Sequence, residues 1–273
     1  MTKWWKTITT LTGMLMLAGC ATTPQMGGSS GQTVTGAASG QTAEGANSQL
    51  EHCSESLGTI AVHEDQTQDW WHYYHSHYPQ LGSTIPVIRM MIQQSNCFVV
   101  VERGKAMSNI KQERELQQSG EMRKGSNFGK GQMVAADYTL DPSIQFAEKG
   151  TGGAGGAIGG LLPGFGGAVV GAVAGGMKSN EAATTLLLID NRSGVQVSAA
   201  VGSAKNFDFN FLGGAFGGLG GGVGGGFTNT PEGKVITAAF ADSYNQMVRA
   251  LRNYRAQTVK GGLGTGGRLN VGQ

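Results

Sequence analysis

Hydrophobic and polar positions alternate most cleanly over residues 184–201, TTLLLIDNRSGVQVSAAV. Residues 184–189 are a short apolar run of β-formers. Val195, Val197, Ala199 and Val201 then alternate with polar or small residues, the period-two signature of a strand. Between them Asp190-Asn191-Arg192-Ser193-Gly194 supplies a turn whose Asn and Gly tolerate positive φ. The pattern predicts a β-hairpin. Each free end of that hairpin runs into a glycine-rich stretch without charge: residues 150–177, bracketed by Lys149 and Lys178, and residues 209–231, bracketed by Asp208 and Glu232. The free ends of a hairpin point the same way, so both stretches are expected to leave one end of one domain.

Upstream, residues 57–62 (LGTIAV) predict a compact strand, and HEDQTQDWWHYYHSHYPQLGS after it reads as a long aromatic and His-rich loop. A helix comes next, with Pro86 in its first turn, Ile85, Ile88, Met91 and Ile92 on one face, and Asn96 at its end. Phe98-Val99-Val100-Val101 is apolar on both faces, as a central parallel strand should be. Strand, helix, strand make a βαβ start. Residues 102–120 predict a polar helix with Ile110 and Leu116 as its main apolar points; 121–131 read as loop and 134–146 as a strand. Thr230-Pro231-Glu232 has the order of cap, first-turn Pro and first-turn acid. From there Ile236, Phe240, Ser243, Met247, Leu251 and Tyr254 fall at helical spacing. The expected fold class is α/β (α+β): a domain over 50–256 with a βαβ start and two Gly-rich, membrane-directed β-hairpin insertions at about 150–177 and 203–231. The tail, 257–273, is Gly-rich and expected to be disordered.

Composition sharpens this. Of 273 residues 47 are Gly and only 14% are charged, so much of the chain is spent on something other than a charged globular surface. The net charge of +2 comes from Lys3 and Lys6 in the leader, leaving the remainder formally neutral. No nucleic-acid partner is expected of it. Residues 1–19 read as a signal peptide, with Lys3 and Lys6 before a short apolar run. Leu17-Ala18-Gly19-Cys20 resembles a bacterial lipobox, which implies cleavage before Cys20 and diacylglycerol on its sulfur. Ala21 after it, rather than Asp, favours the outer membrane by the lipoprotein sorting pattern. Residues 20–49 are expected to be a flexible lipidated tether, about 30 Å end to end by random-coil scaling. Cys53 and Cys97 remain, in an oxidising compartment, each just before an apparent strand. Parallel neighbouring strands would set them side by side; a disulfide and two buried thiols both stay open.

An uncharged stretch of this length can span a bilayer once as a helix, and small residues recur every four positions from Gly152 to Gly176. Yet the strands before and after 150–177 should share a sheet, so the chain must return. Two helices of about 14 residues are too short to cross. Two strands of about 9–11 residues with a turn at Leu162-Pro163-Gly164 fit. Gly213-Gly214 offers the second turn, and Phe207, Phe209 and Phe211 alternate as lipid-facing residues would. Open strand edges cannot sit in lipid, so entry as strands requires several protomers to close one barrel. The other reading is a glycine-rich surface loop, because Gly weakens strands.

His63, His72, His75 and His77 could hold zinc or copper, but no Cys or Asp completes a known pattern. Contact with a neighbouring subunit or a passing polypeptide is the favoured use of this segment. No metal and no cofactor is expected. The glycine runs lack the Gly-Lys-Ser/Thr ending of a phosphate loop, there is no GxSxG, and no catalytic residues are assigned, so no enzyme is expected.

Val100-Val101-Glu102-Arg103, then IKQERELQQSG over 110–120, then Ala135-Ala136-Asp137-Tyr138 resemble the CsgG/HfaB family of curli secretion channels. The order of lipobox, βαβ start, insertion, LxxIDxxSG, insertion and final helix fits too, over residues 50–255. The resemblance implies an outer-membrane lipoprotein whose periplasmic domains form a homo-oligomeric ring. In that ring two hairpins per subunit join a shared barrel, exporting curli subunits or related adhesins without a nucleotide. It also implies that the segment after the first strand lines a constriction or a subunit contact, here Trp70, Trp71, Tyr73, Tyr74, Tyr78 and Pro79. Tyr78-Pro79 matches the family's Tyr-Pro, while the next three residues, Gln80-Leu81-Gly82, depart from the family pattern. The insertions depart as well, holding Gly and Ala where family strands alternate apolar and polar. The implied partners are further copies of the chain, outer-membrane lipid, and a secreted polypeptide. A second reading is a non-conducting periplasmic lipoprotein of the same fold that binds a cell-envelope partner.

Overall fold

The computed structural model describes residues 35–37, 43, 47–126, 130–145, 181–205, 230–254, 258–259 and 269–270. In chain order the strands and helices are β1 (Thr59–Val62), α1 (Asp69–His77), α2 (Ile85–Ser95), β2 (Val99–Val100), α3 (Ala106–Ser119), β3 (Tyr138–Gln145), β4 (Glu181–Asp190), β5 (Gln196–Lys205), α4 (Pro231–Arg252), β6 (Thr258–Val259) and β7 (Leu269–Asn270). Five strands form one mixed sheet in the order β2-β1-β3-β4-β5. β1 lies parallel to both β2 and β3, and β4 lies antiparallel to both β3 and β5. This is a mixed α/β fold with a βαβ start. The insertion hairpins, the leader and Cys20 lie outside the described residues.

The β4–β5 hairpin closes through Asp190. Its backbone N–H donates to the Val195 carbonyl, and its side-chain Oδ1 accepts from the Arg192 N–H at 2.8 Å. Gly194 takes the left-handed φ of 70° that the turn requires. α4 starts as its sequence predicts: Thr230 Oγ1 accepts from the Gly233 N–H at 3.1 Å, and Pro231 opens the helix. α4 then lies directly on the hairpin. At Gly202 a Cβ would stand 2.2 Å from the Ser243 N and 2.3 Å from the Ala239 O, both backbone atoms, so glycine is what lets helix and strand close up. One core results, with Ile60, Val62, Leu140, Ile144, Leu186 and Leu188 from the sheet, Val87, Ile88, Met91 and Ile92 from α2, and Ile236, Phe240 and Met247 from α4.

Two parts differ from the sequence reading. The segment expected as a long aromatic loop contains α1, because side chains four residues apart stack there: Trp71 on His75 at 5.8 Å and Tyr73 on His77 at 3.9 Å. The run expected as a central strand is the two-residue β2 at the edge of the sheet. Its apolarity is spent just before the strand: Cys97 and Phe98 are buried, Phe98 edge-on to Tyr138, while Val99 and Val100 are only half-buried. Of the tail, only β6 and β7 are described, paired antiparallel with Thr258 opposite Asn270 and Val259 opposite Leu269.

Candidate functional site

Register fixes where the uncharged stretches begin. Gln145 at the end of β3 pairs with Ala183 near the start of β4, and Glu181 pairs with Lys205 at the end of β5. The exit from β3, the entry to β4 and the exit from β5 therefore stand at one end of the sheet. β1 runs parallel to β3, so the segment after it also starts toward this end.

α1 belongs to that neighbourhood and packs against β3. Its aromatic residues divide by burial. Tyr74 is wholly buried, its hydroxyl donating to the Gly82 carbonyl at 2.9 Å, and burial followed by the Glu64 charge drives its phenol far up. Tyr74 thus belongs to the core, not to a contact surface. Trp70, Trp71 and Tyr78 are half-buried against the core. Burial chiefly, then Tyr73 and the Glu232 carboxylate, push the Tyr78 phenol up. Tyr73 is exposed at 43% with His77 stacked on it, and Pro79 is exposed after the helix. The outward chemistry of this end is aromatic and imidazole, with Asp69 as the one acid of α1.

Glu64 was not singled out from the sequence, and it holds this end together. It is buried, and its carboxylate accepts from the Thr84 N–H at 2.9 Å, the Thr84 hydroxyl at 2.6 Å and the Ser83 hydroxyl at 2.8 Å. It thereby fastens the start of α2, where the helix dipole favours an anion, to the end of β1. No local pattern announces a partner 20 residues away.

The motifs around Asp137 and Asn191 lie at the opposite end of the sheet, while Glu102 and Arg103 follow β2, which runs parallel to β1. Asp137 Oδ2 accepts from the Thr59 N–H at 3.0 Å, and the Asp137 N–H donates to Thr59 Oγ1 at 2.9 Å. These backbone and side-chain bonds from Thr59 hold the Asp137 carboxyl below its ordinary range. Asn191 in the hairpin turn donates from Nδ2 to the Ala136 carbonyl at 2.9 Å and accepts from the Thr139 hydroxyl at 2.7 Å. Glu102 pairs with Arg89 at 2.7 Å; burial works to raise it, but bonds from Arg89 and the Gly104 N–H hold it below its ordinary value. Arg103 donates to the Val134 carbonyl. The motif residues thus tie strand ends to loops and do not converge on an open site.

Cys53 and Cys97 are joined by a disulfide, their Cα atoms 4.9 Å apart. The parallel pairing of β1 with β2, Thr59 opposite Val99, brings the two segments together. His72, His75 and His77 lie along α1, and among the described residues no three His, Cys, Asp or Glu side chains gather as metal ligands would. Nor is any described helix long and apolar enough to cross a membrane.

The described strands form one mixed sheet, and those next to both uncharged stretches end on the same side of it. The chain belongs to the CsgG family: the profile described as "Curli production assembly/transport component CsgG" matches residues 31–267. That description is of an assembly and transport component. No curated protein matches the chain closely enough to count as a relative.

Proposed function

We propose that this protein is an outer-membrane lipoprotein, anchored through Cys20, that assembles into a ring. Through a barrel closed by several copies, the ring exports curli-like or adhesin subunits. One observation carries the reading: Gln145, Glu181 and Lys205 stand at the same end of the sheet, so both uncharged stretches start toward the same side. Membership of a curli assembly and transport family supports it. The stretches would enter the membrane as hairpins, and their open edges would demand neighbouring copies. With α1 beside the same end, Tyr73, His77 and Pro79 would line the passage or meet the next subunit, backed by Trp70, Trp71 and Tyr78.

The composition of the insertions, mostly Gly and Ala, favours a second reading: a non-conducting periplasmic lipoprotein that binds an envelope partner. Negative-stain images of the detergent-purified full chain separate the two, followed by ion conductance in planar bilayers. Rings with a barrel and stepwise conductance are expected. Small single particles without conductance would replace the channel by the second reading.

A further inference from the structure

Two surfaces of this chain carry opposite charges that find no ion-pair partner within one copy. Residues 63–85, between β1 and α2, hold Glu64, Asp65 and Asp69 and neither Lys nor Arg. Glu64 is buried and spent on Ser83 and Thr84, so the outward charge is that of Asp65 and Asp69. The His63 N–H donates to the Leu140 carbonyl at 2.9 Å, which extends the β1–β3 pairing and sets the segment beside Asp141, a further carboxyl group. Asp65, Asp69 and Asp141 make no ion pair among the described residues.

The other surface is α3 and the residues just after it. Residues 105–126 carry five Lys or Arg against three Glu, a net charge of +2. Lys105, Lys111, Arg123 and Lys124 are exposed and make no ion pair among the described residues. α3 buries none of its side chains in its own copy. Charges elsewhere are answered inside the copy, Arg89 by Glu102, and Arg249 and Arg252 by Glu51.

The two surfaces share a level. β2 runs parallel to β1, the acidic segment follows β1, and α3 follows β2, so α3 begins toward the end of the sheet where the acidic segment lies. Copies related by rotation about an axis along the strands meet at equal levels, so the basic face of one copy can meet the acidic face of the next. A contact between two different faces of the same chain is heterologous, and it closes into a ring when the rotation closes.

We propose that α3 of one copy docks on the acidic β1–α2 segment of a second copy, Lys105 and Lys111 facing Asp65 and Asp69. This rests on the ring reading above and names its subunit contact. A second copy is the partner that the charges specify, because this chain itself carries the complement of each face. Exposed charge pairs supply little energy one by one. Their use here is selection: opposite potentials fix which faces meet and reject like against like.

The test uses the full lipidated chain in detergent, with rings counted in negative-stain images. One variant reverses the basic face (Lys105→Glu, Lys111→Glu and Lys124→Glu). A second reverses the acidic segment (Gln66→Lys, Asp69→Lys and Gln80→Lys). All of these positions are exposed. Each variant alone sets like charge against like and should cut ring yield about tenfold or more at about 0.1 M salt. The chain carrying both sets restores opposite charges across the contact, and its yield should return to within about twofold of wild type. Wild-type yield in either variant alone overturns the contact. So does a doubly reversed chain with wild-type Tm and no rings. Where a threefold exchange lowers Tm, the single exchanges Lys111→Glu and Gln80→Lys and their combination are read in the same way, with an expected loss of about twofold. No loss there, or no recovery on combination, overturns the contact as well. Failure of the channel reading looks different: the wild-type chain then forms no rings, and the contact falls with it. Wild-type rings without recovery in the doubly reversed chain overturn the contact alone.

Discussion

At the scale of single residues, two carboxylates at the same end of the sheet behave in opposite ways. Glu64 is buried but answered by three donors, so its removal leaves the Thr84 N–H and two hydroxyls without an acceptor. Glu64→Ala is expected to cost about 2–3 kcal/mol, read as a lower urea midpoint with unchanged slope. Glu64→Gln, which keeps an acceptor oxygen, should recover part of it. Asp141 is half-buried on β3, and its Oδ1 has no hydrogen-bond partner among the described residues. Burial first, with Asp65 and Glu64 adding and His63 opposing, raises its carboxyl above the ordinary value. A carboxyl raised by folding binds its proton more tightly in the native state. Its charge therefore costs stability above the folded value, and that cost vanishes as pH falls toward the unfolded one. Asp141→Asn should then raise Tm at about pH 7, with the gain closing in acid; thermal scans from about pH 7 to pH 3 check both sign and window. Glu51 runs the other way: the Arg249 bond, ahead of Arg252, lowers it, so its contribution is full at neutral pH and lost as acid protonates it. Equal Tm for wild type and Asp141→Asn across the range would mean that the carboxyl is better solvated than its position implies.

At the scale of elements, what could be read from the sequence was whatever has a local signal. The β4–β5 hairpin has its alternation and turn residues, α2 its one-sided apolar face ending at Asn96 with φ of 57°, and α4 its Thr230 cap. α1 has no such signal. In Asp69–His77 every position is aromatic, imidazole or polar, so no apolar stripe stands out, and the helix is held by stacks between residues four apart. β2 failed for a related reason: a four-residue apolar run cannot say which neighbours bury it, and here a disulfide and an aromatic pair take that part. Of the site, the common end at which the flanking strands stop came from hairpin topology, whereas Glu64 and Gly202 act through partners far along the chain and leave no local trace. The burial split along α1 predicts a split in mutant behaviour. Tyr74→Ala opens a cavity in the core and should cost about 3–5 kcal/mol. Tyr73→Ala, on the exposed side, should change stability by about 0.5 kcal/mol or less, while lowering conductance or ring yield if that face lines the passage or a subunit contact. A Tyr73→Ala protein with normal stability, normal rings and normal conductance would remove the exposed face of α1 from the function.

At the scale of the whole molecule, α3 is the part that a single copy does not explain. It is 14 residues long, ends at Gly120 with the left-handed φ of 83°, and has no buried residue among those described. A helix of that length is marginal in water unless something packs on it. Leu116, exposed at 40%, is an apolar side chain in the middle of this surface. Within one copy, then, α3 should exchange its amide hydrogens quickly, because local opening exposes little apolar surface beyond the half-buried Met107 and Ile110. α4, by contrast, should exchange slowly, with Phe240, Tyr244 and Met247 wholly buried. Assembly changes the expectation for α3 alone. If neighbouring copies meet across it, its amides should slow by about 1.4 kcal/mol of protection for every tenfold reduction in rate, and roughly a hundredfold slowing is expected for a helix clamped between subunits. Hydrogen exchange on separated rings and dissociated monomers of the same preparation reads this directly, with α4 as an internal standard that should hardly move. Slowing confined to α3 would place the subunit contact there. Equal rates in ring and monomer would leave α3 facing solvent in the assembly, and the contact would then have to be sought on the exposed face of α1 or between the insertions themselves.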